Sequence, residues 1–186
     1  SCTDAPVASK ETGGNIHILG EDGAPVKGGE TGEICFPNPY FRGYINMPEK
    51  TRTAMRGGLF HSGDLGYRSE NGDIFLLGRS DDMIILKGVN IFPIQIEAIL
   101  MQFQELASDY LITLETIDGN DDMLVEVEMS DIFIDDYSKL QRLEKEITRQ
   151  LHDEILITPK VRLLPKGSIP KSEGKAVRVK DLRKQY

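Results

Sequence analysis

Near the end of the chain, the stretch IPKSEGKAVR sets Lys171 and Lys175 around Gly174. Two ammonium groups on long stems beside a flexible glycine suit an anion. Three readings compete: a phosphate-binding loop, a solvated tail, or one lysine that acts on a substrate. A phosphate loop needs GxxxxGK followed by Ser or Thr. Here Ile169 stands in place of the first glycine and Ala176 follows the lysine, so that reading fails on spacing. HSGDLGY offers a second group, Asp64 after a glycine. Read alone it is a turn aspartate. Read as chemistry it is a carboxylate that can accept two hydrogen bonds at once, which suits the vicinal diol of a ribose. GRSDD offers a third, Arg79 with Asp81 close behind. The bland reading is a solvated turn with a local ion pair, worth little. The chemical reading gives the always-charged guanidinium fork a ribose or phosphate oxygen to bind.

These groups need elements to hold them. NIHIL, GEICF and GDIFLLG are short apolar runs bounded by Gly, Asp and Pro, and they read as strands. A short helix is expected to begin near Pro48. Residues 1–80 therefore look β-rich, a subdomain that packs on something larger. After GRSDDMIILKGVN the texture changes. Pro93 suits a first helical turn, and Ile96, Ile99, Leu100 and Phe103 then share one face. DYLITLETI and DMLVEVEM alternate, with Tyr110, Ile112 and Leu114 on one side of the first. In the second, Met123, Val125, Val127 and Met129 point inward and Glu126 and Glu128 outward. DGNDD between them predicts an antiparallel hairpin. From Tyr137, Leu140, Leu143, Ile147 and Leu151 recur at helical spacing, and KVRLL is a further strand. The expected fold class is α+β: a β-rich unit over 1–80, then a small α+β unit over 81–186 with a short sheet flanked by helices. Asp81 stands at the junction, where a residue could absorb a large backbone change.

Composition narrows the partners. Hydrophobic residues make up 39% of the 186, enough for a packed core. The net charge is −8, but residues 160–184 carry +7 and the remainder −15. An acidic chain with one basic segment argues against nucleic-acid binding, which wants a broad basic face. A nucleotide-sized anion, or the chain's own acidic surface, would explain the segment. No apolar run reaches the roughly 18 residues that a membrane span requires. The opening SCTDAPVASKETGG is polar, unlike a signal peptide. Cys2 and Cys35 lack CxxC spacing, and His17, His61 and His152 are the only histidines, so no metal site is expected. A cytoplasmic location is the expectation.

In their order and spacing, GETGEICF, FRGY, PEKT, GGLFHSGDLGY, GDIFLLGRSDDMIILKGVNIFPIQIE and IPKSEGKAVR resemble the C-terminal third of the adenylate-forming enzymes. These are the AMP-binding, acyl-CoA synthetase superfamily, which includes nonribosomal-peptide adenylation domains and luciferase. The resemblance runs from about Asn15 to the end. The later motifs look most like phenylacetate–CoA ligases and the earlier ones like fatty-acyl-CoA synthetases. It implies ATP-dependent activation of a small carboxylic acid to an acyl-AMP, then transfer to the thiol of coenzyme A. By motif, Asp64 would bind the ribose of ATP or AMP and Arg79 the nucleotide beside it. Asp81 would be the hinge, Gly88 would line the pantetheine path, and Lys175 would reach the α-phosphate during adenylation. Lys171 is left with solvation or weak phosphate attraction. Ser62 replaces the family's usual Thr with little expected effect, and Ile85 excludes a second catalytic lysine there. The family's phosphate loop, adenine pocket and Mg²⁺-holding glutamate are not in these residues. The resemblance thus implies a fragment, inactive alone, whose partner is a missing N-terminal adenylation domain. Two other functions stay open: an adenylation unit that loads a carrier protein's phosphopantetheine, and a non-catalytic binding module that keeps the fold.

Overall fold

The computed structural model describes residues 15–38, 41–131, 136–170 and 177–183. By its internal packing the chain divides into two compact units, Ser1–Met83 and Ile84–Tyr186. Together they give a mixed α/β architecture of sheets flanked by helices.

The first unit is a sheet around one long strand. β1 (His17–Leu19) pairs antiparallel with β2 (Gly32–Phe36), and β2 with β4 (Leu59–Arg68). β4 also pairs with β3 (Met55–Arg56) near its start and with β5 (Ile74–Arg79) toward its end. α1 (Pro48–Ala54) begins at the proline, whose missing N–H costs nothing in a first turn. The buried apolar cluster is small, Ile18, Ile34 and Ile74, with Ile16, Val26 and Leu76 against it. Meanwhile Ile45 is 87% exposed and Met47 52%. Among the described residues little apolar area is removed from water here, so their core contributes little stability.

The second unit carries the larger core. β6 (Ile84–Leu86) and β7 (Val89–Ile91) form a hairpin turned by Lys87 and Gly88. Both turn residues have positive φ, 51° and 80°, as a two-residue type I′ turn requires. α2 (Pro93–Leu100) follows, closed at its start by the Gln95 side chain accepting from Phe92 N–H. β8 (Leu106–Ile117) and β9 (Asn120–Met129) are the expected antiparallel hairpin. α3 (Tyr137–Ile155) is capped by Asp136, whose carboxylate accepts from Ser138 N–H. β10 (Lys160–Leu164) and β11 (Val179–Asp181) flank the hairpin in parallel, giving the order β10-β9-β8-β11. Tyr110, Ile112, Leu114, Met123, Val125 and Val127 face the core, joined by Ile96 and Leu100 of α2 and Ile147 and Leu151 of α3. The Tyr110 hydroxyl donates to Glu97 of α2 at 3.0 Å. Burial, then the Glu97 charge, pushes that phenol well above its usual range.

Two expectations change. Phe103 lies beyond the end of α2 and is only partly buried against the core. Glu128 does not face solvent. It is 1% exposed, because the chain beyond β10 folds back over it. Strand alternation sets which face a residue takes, but not what covers that face. The bland account of the basic segment holds for several of its cations. Lys160 pairs with Asp122, Arg162 with Glu126, Lys166 with Asp131 and Arg183 with Asp121.

Leu151 is fully buried where α3 meets the sheet. Leu151→Ala should cost about 3 kcal/mol in chemical denaturation of the chain. A loss below about 1 kcal/mol would mean α3 does not close this core.

Candidate active site

β4 and β5 pair so that Asp64 lies directly opposite Arg79. Asp64 is thus a strand residue and not a turn residue, held by ladder hydrogen bonds on a ten-residue strand. The Arg79 Nη1 is 3.6 Å from Asp64 Oδ1, and its Nε donates to Asp81 Oδ1 at 2.9 Å. Arg79 is held above its ordinary pKa, first by that hydrogen bond and then by the Asp81 charge, with Asp64 and Asp82 adding less. Asp81 sits in a single 3-10 turn, Ser80–Asp82, where β5 ends. Gly63 has φ +76°, and a Cβ there would come within 3.0 Å of Arg79 Nη2. A side chain would therefore be strained and would crowd the guanidinium. The Asp64 and Arg79 side chains are 37% and 48% exposed, so both reach solvent while their backbones are fixed.

Beneath Asp64 lies a second set of groups that the sequence reading missed. Glu33 Oε1 accepts from Gly63 N–H at 3.0 Å, and its Oε2 lies 2.7 Å from His61 Nδ1. Arg56 Nη2 donates to the same Oε2 at 3.1 Å. The Ser62 hydroxyl donates to Ile34 C=O at 2.8 Å and accepts from Asp64 N–H at 3.0 Å. So three consecutive residues are tied to β2: His61 and Ser62 through their side chains and Gly63 through its backbone N–H. A Thr hydroxyl at position 62 could make the same two bonds. GEICF did carry a signal, because Glu33 and Cys35 are two apart on one strand and share a face. What it lacked was the β2–β4 register that sets Cys35 opposite His61.

Glu33, Cys35 and His61 bring their donor atoms within 4.8 Å of one another. Their spacing is that of hydrogen bonds, 2.7 Å for Glu33–His61 and 3.2 Å for His61–Cys35. The set does not fit Mg²⁺, which wants oxygen ligands in near-ideal octahedral geometry, and Arg56 already neutralises the only carboxylate. Asp64 and Arg79 do fit a nucleotide: an exposed carboxylate for a diol beside a guanidinium for an anionic oxygen.

Gly88 belongs to the second unit, at the tip of the β6–β7 hairpin, where a Cβ would meet nothing within 4 Å. Its glycine is explained by the turn. The hairpin is tied down by Arg183, whose Nη1 donates to Ile85 C=O at 2.7 Å, and by Lys87 beside Asp122 at 3.6 Å. Lys171 and Lys175 lie outside the described residues.

The family description "AMP-binding enzyme C-terminal domain" matches residues 88–183. The chain belongs to this family. It carries the C-terminal portion of the AMP-binding, acyl-CoA synthetase superfamily. A solved domain of phenylacetate-coenzyme A ligase from Bacteroides vulgatus is 72% identical, with a TM-score of 0.54. The match covers 57% of this chain and 97% of that one. Phenylacetate-coenzyme A ligase of Thermus thermophilus is 37% identical over 123 residues, 59% of this chain and 28% of that protein. A medium/long-chain-fatty-acid–CoA ligase of Mycobacterium tuberculosis is 37% identical over 93 residues, 50% of this chain and 16% of that protein. The chain thus spans about a quarter or less of these two curated relatives. No helix among the described residues is long and apolar enough to cross a membrane.

Cys35 is fully buried beside Glu33. Burial, then the Glu33 charge, pushes its thiol up to about 11, against a smaller lowering by Arg56. Above pH 9 the unfolded thiol loses its proton while the folded one keeps it, so stability falls as pH rises from 9 to 11. Denaturation at pH 8 and pH 10.5 should show a loss of about 1–2 kcal/mol that Cys35→Ala abolishes. Equal losses in both proteins would show that the thiol is not the group responsible.

Proposed function

We propose that the chain is the C-terminal part of an ATP-dependent carboxylic acid–CoA ligase. The observation that carries this reading is the cross-strand pairing of Asp64 with Arg79. Two groups singled out on separate motifs stand side by side, both exposed, on one rigid strand pair. The identity to a domain named as phenylacetate-coenzyme A ligase supports an aryl acid as the substrate class.

The reaction has two steps. The acid's carboxylate attacks the α-phosphate of ATP, forming acyl-AMP and expelling pyrophosphate. The thiol of coenzyme A then attacks the acyl carbon, and AMP leaves. Asp64 accepts hydrogen bonds from the two ribose hydroxyls, and Arg79 holds a nucleotide oxygen beside it. Negative charge grows on the α-phosphate oxygens in the first step, and the Lys175 ammonium stabilises it there. The residues from 82 onward reorient about Asp81 between the steps, which withdraws Lys175 and brings Gly88 to the pantetheine path. Mg²⁺ and the adenine pocket are supplied by an N-terminal adenylation domain that these residues do not include.

Lys175→Ala in the full-length enzyme should lower adenylation at least about 100-fold and leave thioester formation from supplied acyl-AMP within about twofold. ATP–pyrophosphate exchange and single-turnover thioester assays read the two steps separately. Equal loss in both would remove the role given to Lys175. The 186-residue chain alone should show no acid-dependent exchange; activity above background would overturn the fragment reading.

A further inference from the structure

Glu128 is a carboxylate in the interior that the proposed mechanism does not use. It is 1% exposed, near the end of β9 and opposite Leu164 of β10. A buried carboxylate is costly unless its oxygens are well bonded. Both are used: Oε2 accepts from Gly167 N–H and Oε1 from Ile169 N–H, each at 2.7 Å. These short charge-assisted bonds hold the backbone directly after β10. Gly167 has φ +80°, so the chain turns sharply just beyond β10, at the first of the two donors. The other side of the same segment is also fixed. Arg178 C=O accepts from Ile112 N–H at 2.8 Å, and β11 then pairs with β8. Arg178 itself lies over the Tyr110 ring, 4.4 Å from its centre. The described chain thus reaches Pro170 just after the two bonds to Glu128 and resumes at Val177, beside the bond to Ile112 of β8; Lys175 falls between these two anchors in the sequence.

We infer that Glu128 is a positioning residue: by clamping Gly167 and Ile169 it fixes the departure point of the Lys175 segment and so sets the geometry of the adenylation step. Packing alone would have been served by an apolar residue at this buried position. A carboxylate, with two acceptor oxygens side by side, is the side chain that can take two backbone N–H groups at once. Glutamine keeps the size but offers one oxygen and turns an NH₂ toward the other donor. The proposal rests on the role given to Lys175 above.

The test has two arms. In the 186-residue chain, Glu128→Gln should speed amide hydrogen exchange at Gly167 and Ile169 about tenfold or more while Ile112 and Val125 stay protected. In the full-length ligase it should slow adenylation about tenfold and leave thioester formation from supplied acyl-AMP within about twofold. Glu128→Asp, which keeps the charge but cannot reach both donors, should fall between wild type and Gln in each arm, and gives the reading if the Gln variant loses its sheet. Unchanged exchange at Gly167 and Ile169 overturns the clamp whatever the enzyme does. Faster exchange with both half-reactions untouched, or both slowed equally, overturns its link to Lys175. If the wild-type enzyme adenylates no acid, the functional reading fails, and the exchange arm still decides the clamp.

Discussion

The pairing of β4 with β5 sets the chemistry of the first unit. Its register puts Asp64 opposite Arg79 and ends β5 two residues before Asp81. A one-residue slip would turn the Asp64 carboxylate to the other face of the sheet and separate it from the guanidinium. The hydrogen-bond ladder fixes backbone positions, so the two exposed side chains need little further ordering to meet a ligand. That pre-organisation would suit the ribose-binding role proposed for Asp64, because freedom lost on binding weakens affinity.

The same device recurs in the two units. In each, a carboxylate accepts a backbone N–H from a segment that the proposed mechanism uses. Glu33 takes Gly63 N–H, one residue before Asp64. Glu128 takes Gly167 and Ile169 N–H, just ahead of the lysine segment. Both segments are glycine-rich and would otherwise carry unpaired donors and excess conformational freedom. A charged acceptor satisfies the donors and selects one backbone path. The two units differ in what holds them. The second has a continuous core across α2, α3 and the central hairpin, while the first has a few buried isoleucines and an exposed Ile45.

Much of this was legible in the sequence because local pattern and tertiary fold agree. The apolar alternation of DMLVEVEM and the helical spacing after Tyr137 gave strand and helix, since burial of one face selects both. Pro48 and Pro93 marked helix starts for a local steric reason. Asp64 did not read as a strand residue, because its glycine neighbours carry turn signals. Here Gly63 and Gly66 serve close approach within a strand instead. Glu128 read as solvent-facing because alternation reports a face and not its covering. The Glu33–His61 contact joins residues 28 apart and depends on strand register, which no local pattern encodes. Asp64, Arg79, Asp81, Gly88 and Lys175 were nominated by motif order, and spacing alone would have left each a turn residue or a surface charge.

Under the proposed function, the full-length protein would activate a carboxylic acid through its adenylate and pass it to coenzyme A. The direct measurement follows AMP release and acyl-thioester formation together, with aryl and fatty acids compared under the same conditions. The expected result is acid-dependent release of one AMP for each thioester formed, with an aryl acid preferred over a fatty acid. Cleavage of ATP to ADP, or AMP release that no acid stimulates, would contradict it.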